Sequence, residues 1–372
     1  MPPKTMNAVD TRALARDIKA WALELGFQQA GIADPDLGED EARLLAWLDA
    51  GRHGEMAYMA RHGLKRSRAA LLHPGTLRVV SVRMDYLPGE AAPAADVLDE
   101  PHLAYVSRYA LGRDYHKLMR KRLQKLADRI ASAVGPFSYR VFTDSAPVLE
   151  KPLARAAGLG WIGKHTNLIN RDAGSWFFLG EIYTDLALPP DAAASDHCGT
   201  CRACLDACPT GAIVAPYELD ARLCISYLTI ELRGPIPVAL RPLIGNRIFG
   251  CDDCQMVCPW NRFAADSGEA DFNPRHGLDA AELTALFRWS EAEFLRYTEG
   301  TAIRRIGYEC WLRNIAVALG NSLGNSLGNS LGNSPSNGPA ADGVGDALAA
   351  RRDHPSPLVR EHVEWALARL GV

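Results

Sequence analysis

Eight of the nine cysteines in this 372-residue chain fall between Cys198 and Cys258, and their spacing constrains the fold more than any other feature. The run CGTCRACLDACPTG places Cys198, Cys201, Cys204 and Cys208 as C-x2-C-x2-C-x3-C-P, the bacterial ferredoxin arrangement for a [4Fe-4S] cluster. Thiolates at two-residue intervals wrap one cubane. Proline after the fourth turns the chain away, so that thiolate serves a different cluster. A second set, Cys224, Cys251, Cys254 and Cys258, also ends in proline. If the ferredoxin crossover holds, Cys198, Cys201, Cys204 and Cys258 bind one cluster, and Cys208, Cys224, Cys251 and Cys254 bind the other.

Two other metal chemistries compete. Structural zinc also takes C-x2-C pairs, but zinc ribbons do not call for three tandem cysteines followed by x3-C-P, and C-x3-C-P occurs here twice. A radical adenosylmethionine site needs C-x3-C-x2-C, and the required positions hold Gly211 and Asn261. A disulfide framework is not expected. The opening residues carry spread charges and no apolar signal segment, which points to the cytoplasm, where thiols stay reduced. No run of eighteen uncharged apolar residues suggests a membrane span. Cys310, in ECWLRNIAVAL, reads as a buried core thiol. The formal charge of −3 argues against a chain that coats nucleic acid indiscriminately, while leaving room for a local basic groove.

Two clusters alone need far less chain than this, so the cysteine segment is expected to serve another site. The leading segment reads as α/β. Residues 9–25 and 114–133 have helical apolar spacing, and 78–84, 139–143 and 176–188 read as strands bounded by turn residues. Between them, GLGWIG follows a helical pattern rather than a strand. It reads as a helix C-cap and turn, not as a dinucleotide loop, within a glycine-punctuated stretch from 144 to 169 suited to lining a cleft. From Arg108 to Arg129, eight Lys and Arg stand against two Asp, giving a helix face that either is simply solvated or contacts phosphate. Residues 266–372 look helical, and PSPLVREHVEWAL resembles a HEAT-type repeat helix with proline at its start. The GNSL repeat at about 320–343 is too poor in apolar surface to repay ordering.

The segments RYALGRDYHK (108–117), FTDSAPVLEKPLARAAGLGWIGKHTNLI (142–169), GSWFFLGEIYTDLAL (174–188), CPTGAIVAPYELDARLCISYLTIELRG, IGNRIFGCDDCQMVCPWN and RRIGYECWLRNIAVALGN together resemble the epoxyqueuosine reductases. These are cobalamin-dependent iron–sulfur enzymes that complete queuosine at the tRNA wobble position. The resemblance implies an α/β cobalamin-binding catalytic domain over 1–190, a ferredoxin-like domain with two [4Fe-4S] clusters over 191–265, and a helical HEAT-like domain over 266–372. It implies Asp144 as proton donor, which requires a raised pKa; Tyr109 or a water is the fallback. By the same resemblance Ser145, Lys164, His165, Thr166, Asn167 and Leu168 line the cobalamin pocket, with Arg66 on the corrin's amide or phosphate side. Cobalamin is expected base-off, without a histidine ligand: the nearest match to D-x-H-x-x-G is Asp114-Tyr115-His116, and Met119 replaces its glycine. Arg233, Arg247, Arg304 and Arg305 are the expected tRNA phosphate contacts. The expected partners are a tRNA carrying epoxyqueuosine and an external low-potential electron donor, acting on a monomer. Two rivals stay open: a reductive dehalogenase-like enzyme on a small molecule, and a non-catalytic electron-transfer subunit.

Overall fold

The computed structural model describes residues 10–322 and 339–372. The leading region is built on a four-stranded sheet of β1 (Gln29–Ala33), β2 (Arg78–Asp85), β3 (Tyr139–Phe142) and β4 (Phe177–Thr184), in the order β1-β2-β4-β3. Every neighbouring pair is antiparallel. The region mixes helices and strands as expected, and because sheet neighbours run in opposite directions its helices are layered on an antiparallel sheet without parallel crossovers.

Strand alternation decides which helix covers which face. Val80, Val82 and Met84 of β2 face α1 (Thr11–Glu24) and α2 (Tyr115–Val134), whose Ile18, Ala22, Met119, Leu123 and Ile130 complete that core. Val79 and Tyr183 face the opposite way, onto Leu153 and Ala154 of α3 (Glu150–Ala156). Both long helices start on an aspartate cap: Asp10 accepts from the N–H groups of Arg12 and Ala13, and Asp114 from that of His116. The expected strands and helices of this region are all present. Strand β1 is additional, and GLGWIG forms the turn after α3 followed by a small hairpin pairing Trp161–Ile162 with Leu168–Ile169.

In the cysteine segment two short helices, Ala203–Asp206 and Asp253–Met256, pack together. Behind them lie α4 (Tyr308–Asn321), every residue of which from Cys310 onward is buried, and α5 (Pro357–Leu370). Within α4, Arg313 is fully buried and donates to the carbonyls of Leu228, Leu232 and Gly234, while Asn314 donates to those of Thr229 and Ile248. One core draws on all three segments: Val106 and Leu111 from the first, Ile248 and Phe249 from the second, Leu312, Ile315, Val359 and Val363 from the third. The strand Tyr105–Val106 also pairs in parallel with Arg247–Phe249. Most of the GNSL repeat lies outside the described residues, and a helix begins at Pro339, inside the range expected to be loop. No described helix is long and apolar enough to cross a membrane.

Candidate active site

The eight thiols divide in space as the crossover requires. Cys198, Cys201, Cys204 and Cys258 line one cavity with Lys164, His165 and Trp260. Cys208, Cys224, Cys251 and Cys254 line a second, of about 250 Å³, whose other walls include Ser107, Tyr109, Lys151, Thr166 and Asn167. Among the described residues, no three His, Cys, Asp or Glu side chains converge closely enough to hold one ion; the thiols stand apart round cavities instead. Burial raises the Cys204 thiol to about 11, with Cys258, Cys198 and Cys201 adding to the effect. His165 lines both cavities and accepts the Asn167 N–H at Nδ1, 3.1 Å away, so Nε2 carries the ring hydrogen. That Nε2–H is buried with no acceptor, as is the indole N–H of Trp161, which packs against Cys198 and Cys258. Orphaned donors facing a ring of sulfur ligands fit a sulfide-rich cluster, which accepts hydrogen bonds.

Beyond the second cavity lies a cleft centred on Asp144, in the turn between β3 and α3. Asp144 and Thr166 both adopt positive φ, +46° and +68°, a conformation that side-chain-bearing residues rarely hold without a reason in the surroundings. The Asp144 carboxylate lies 3.0 Å from His116 Nε2, while His116 Nδ1 lies 2.6 Å from Asp114. With a carboxylate on each side, both ring nitrogens must donate, which makes His116 the cation. Burial alone would lower its pKa, but the hydrogen bonds to Asp114 and Asp144 outweigh that and hold it at about 9. The raised pKa expected for Asp144 is not found. Desolvation pushes it up, yet the His116 hydrogen bond and charge prevail and hold the carboxyl below its ordinary value. Its side chain is 47% exposed, so it walls an open cleft.

Lys151 joins the two regions. Its ammonium donates to the Thr166 carbonyl at 2.9 Å and to Asn167 Oδ1 at 3.2 Å, and it feels Glu150, Asp144 and the thiols of Cys254 and Cys224. Glu150, next to it, accepts the N–H of Asp144. Arg66 is buried, donates to the Tyr58 carbonyl and feels Glu150 and Asp144. Ser145 accepts from Arg120 at 2.9 Å. Two expected pocket residues lie elsewhere. Lys164 donates to the carbonyls of Gly199 and Cys201, tying down the first thiol loop, and Leu168 is a core residue beneath the sheet. His116, Glu150 and Lys151 were missed as site residues, although all three fall inside the motifs RDYHK and VLEK.

The arginines differ among themselves. Arg247 does not stand free for phosphate: it is clamped on Asp253, with Nε 2.7 Å from the carboxylate and only 13% of its side chain exposed. The physical reason is local: the Asp253 side chain is only 14% exposed, and a carboxylate so nearly buried needs a cation beside it. Arg233 donates to the carbonyls of Ile306 and Arg305, Arg304 to that of Leu295, and Arg305 pairs with Glu231; all three remain exposed.

Residues 197–261 match the family model of a 4Fe-4S double cluster binding domain, and residues 66–145 match that of epoxyqueuosine reductase QueG, DUF1730. The first match resolves the choice between iron–sulfur and zinc. An epoxyqueuosine reductase of Pseudomonas aeruginosa is 64% identical over 98% of this chain and 97% of its own; that of Escherichia coli is 56% identical over 97% and 90%. A crystal structure of an epoxyqueuosine reductase with an epoxyqueuosine-modified tRNA-Tyr stem loop has a TM-score of 0.84 at 26% identity, covering 98% of this chain and 92% of that one. Another, from Bacillus subtilis, with its catalytic aspartate loop swung out of the active site, has a TM-score of 0.83 at 26% identity over 97% and 91%. Identity along nearly the whole length, a shared fold and a double-cluster segment agree: the chain belongs to the epoxyqueuosine reductase family.

Proposed function

We propose that this chain reduces epoxyqueuosine in tRNA to queuosine, with Asp144 delivering a proton to the departing oxygen. The observation that carries the reading is the position of Lys151, which lines the cavity of Cys224 and Cys254 and also feels the charge of Asp144. Removing the epoxide oxygen as water takes two electrons and two protons. Cobalamin, when bound, supplies the two-electron chemistry at carbon, fed by the two [4Fe-4S] clusters one electron at a time. Thr166, Asn167, Ser107 and Tyr109 would hold it beside Lys151. Because His165 Nδ1 already accepts a hydrogen bond and Nε2 carries the hydrogen, His165 would offer no lone pair to a metal.

The protons belong to the chain. In the ligand-free cleft the mobile proton rests on His116 and is shared toward Asp144. When a substrate oxygen calls for a proton, His116 passes its own along that hydrogen bond to Asp144, which hands it on, and Asp114 holds the ring in register. The tRNA reading is favoured over a small-molecule dehalogenase by the identity to named epoxyqueuosine reductases along nearly the whole chain. Exposed Arg233, Arg304 and Arg305 then contact phosphate beside the HEAT-like helices, and a low-potential donor outside the chain supplies electrons to a monomer. Asp144→Asn tests the centre of this reading. Turnover of a modified stem loop is expected to fall about 10² to 10⁴-fold, with KM for the stem loop unchanged; full turnover in the variant refutes Asp144 as donor.

A further inference from the structure

Glu181 stands in the middle of β4, opposite Ser81 of β2 and Phe142 of β3, and is 0% exposed. No described donor reaches either of its carboxyl oxygens, and the Ser81 hydroxyl is likewise left over. A bare carboxylate in such a place is strongly disfavoured. The carboxyl it interacts with is that of Glu150, and two carboxyls bond one another only through a proton. Glu150 in turn accepts the Asp144 N–H, so the pair abuts the residue assigned as donor. The other charged and titratable groups around it are Lys151 of α3, His116 and Tyr115 of α2, Tyr183 of β4, and Arg66 of the short helix Gly63–Arg66.

Water formation from the epoxide oxygen needs two protons, and His116 accounts for one. We propose that Glu150 and Glu181 form a proton-holding carboxyl pair that reloads Asp144 within a catalytic cycle, an inference that rests on Asp144 being the donor. Desolvation, followed by the charge of Asp144, pushes Glu150 up to about 8. Desolvation, followed by Glu150, pushes Glu181 well above the ordinary range. Both therefore start neutral at pH 7. In the step itself an O–H bond of Glu150 breaks and one forms on the Asp144 carboxylate, with no electron moved. The remaining proton is shared between Glu150 and Glu181, the state in which paired carboxyls are most comfortable. Glu150 and Glu181 act through Asp144 and are positioning residues.

Two readouts test this. Infrared absorption of the cofactor-free wild-type protein is expected to show a carboxylic-acid band at neutral pH that fades as pH rises through about 8; Glu181→Gln should weaken that band. In the loaded enzyme, Glu181→Gln keeps size and can donate to Glu150, so it favours the ionised form. Its kcat is expected to drop about tenfold and its alkaline limb to move to lower pH, with KM for the stem loop unchanged. A role in packing alone would leave the alkaline limb where it is. Glu150→Gln is the second variant, expected to lower kcat in the same way. Absence of the band in wild-type protein, or a limb unmoved in Glu181→Gln, overturns the pair. Loss of turnover in Asp144→Asn together with wild-type behaviour in both glutamine variants overturns this inference while leaving the donor in place, whereas an active Asp144→Asn removes the donor reading first.

Discussion

At the scale of single residues the cleft is governed by who holds the proton. His116 has a folded pKa of about 9 against 6.5 for the free side chain, so its protonated form is favoured by folding. The stability it contributes is fully present below 6.5 and is lost as pH rises through about 9. In His116→Ala, the stability deficit relative to the parent should be greatest at neutral and acid pH and vanish above about 9, as read by urea unfolding over a pH series. Its kcat should fall about 10²-fold, with the uppermost alkaline limb gone. The motif containing Asp144 was legible, but its charge state was not. The deciding partner sits 28 positions earlier on α2, and no spacing rule relates a loop aspartate to a histidine on a different element. Reasoning from burial alone gave the wrong sign, because the nearby cation outweighs desolvation. The cysteines were legible for the opposite reason: ligand spacing is a property of short chain segments.

At the scale of elements, apolar period located α1 and α2 within a residue or two, because each carries a long apolar stripe, and placed α4 and α5 only inside a helical region without bounds. Strand β1 escaped because QAGIA is five residues long and interrupted by glycine. That glycine has a steric purpose. A Cβ at Gly31 would stand 2.0 Å from the Ala157 carbonyl oxygen and 2.8 Å from Leu159, so β1 can approach the end of α3 only without a side chain. Gly31→Ala should cost about 1 to 3 kcal/mol in urea unfolding. It should also lower turnover, since it displaces the helix that carries Glu150 and Lys151.

At the scale of the whole molecule, the arginines that look alike in sequence separate by their carboxylate neighbours. Arg304 stays exposed, and Arg304→Ala should weaken stem-loop binding and reduce the slope of log affinity against log salt by about one. Arg247→Ala should leave that slope unchanged. It strips the cation from a nearly buried Asp253 beside Cys251, with a stability cost of about 3 kcal/mol and a lower iron content, read by unfolding and metal analysis. Sequence alone could not separate the two, because Asp253 reaches Arg247 only through the bend after Phe249. The same holds for the partition into three domains, since the shared core cuts across it. The ribbon that joins Tyr105–Val106 to Arg247–Phe249, backed by α4, which in turn packs on α5, ties the order of synthesis to the order of assembly. On the ribosome, the residues walling the reaction chamber emerge well before their partners, and they must wait, unmated, until Val359 and Val363 leave the exit tunnel. A nascent chain stalled before that point has its ferredoxin-type loops translated but their foundation missing, so correct metallation becomes a late event in the protein's birth.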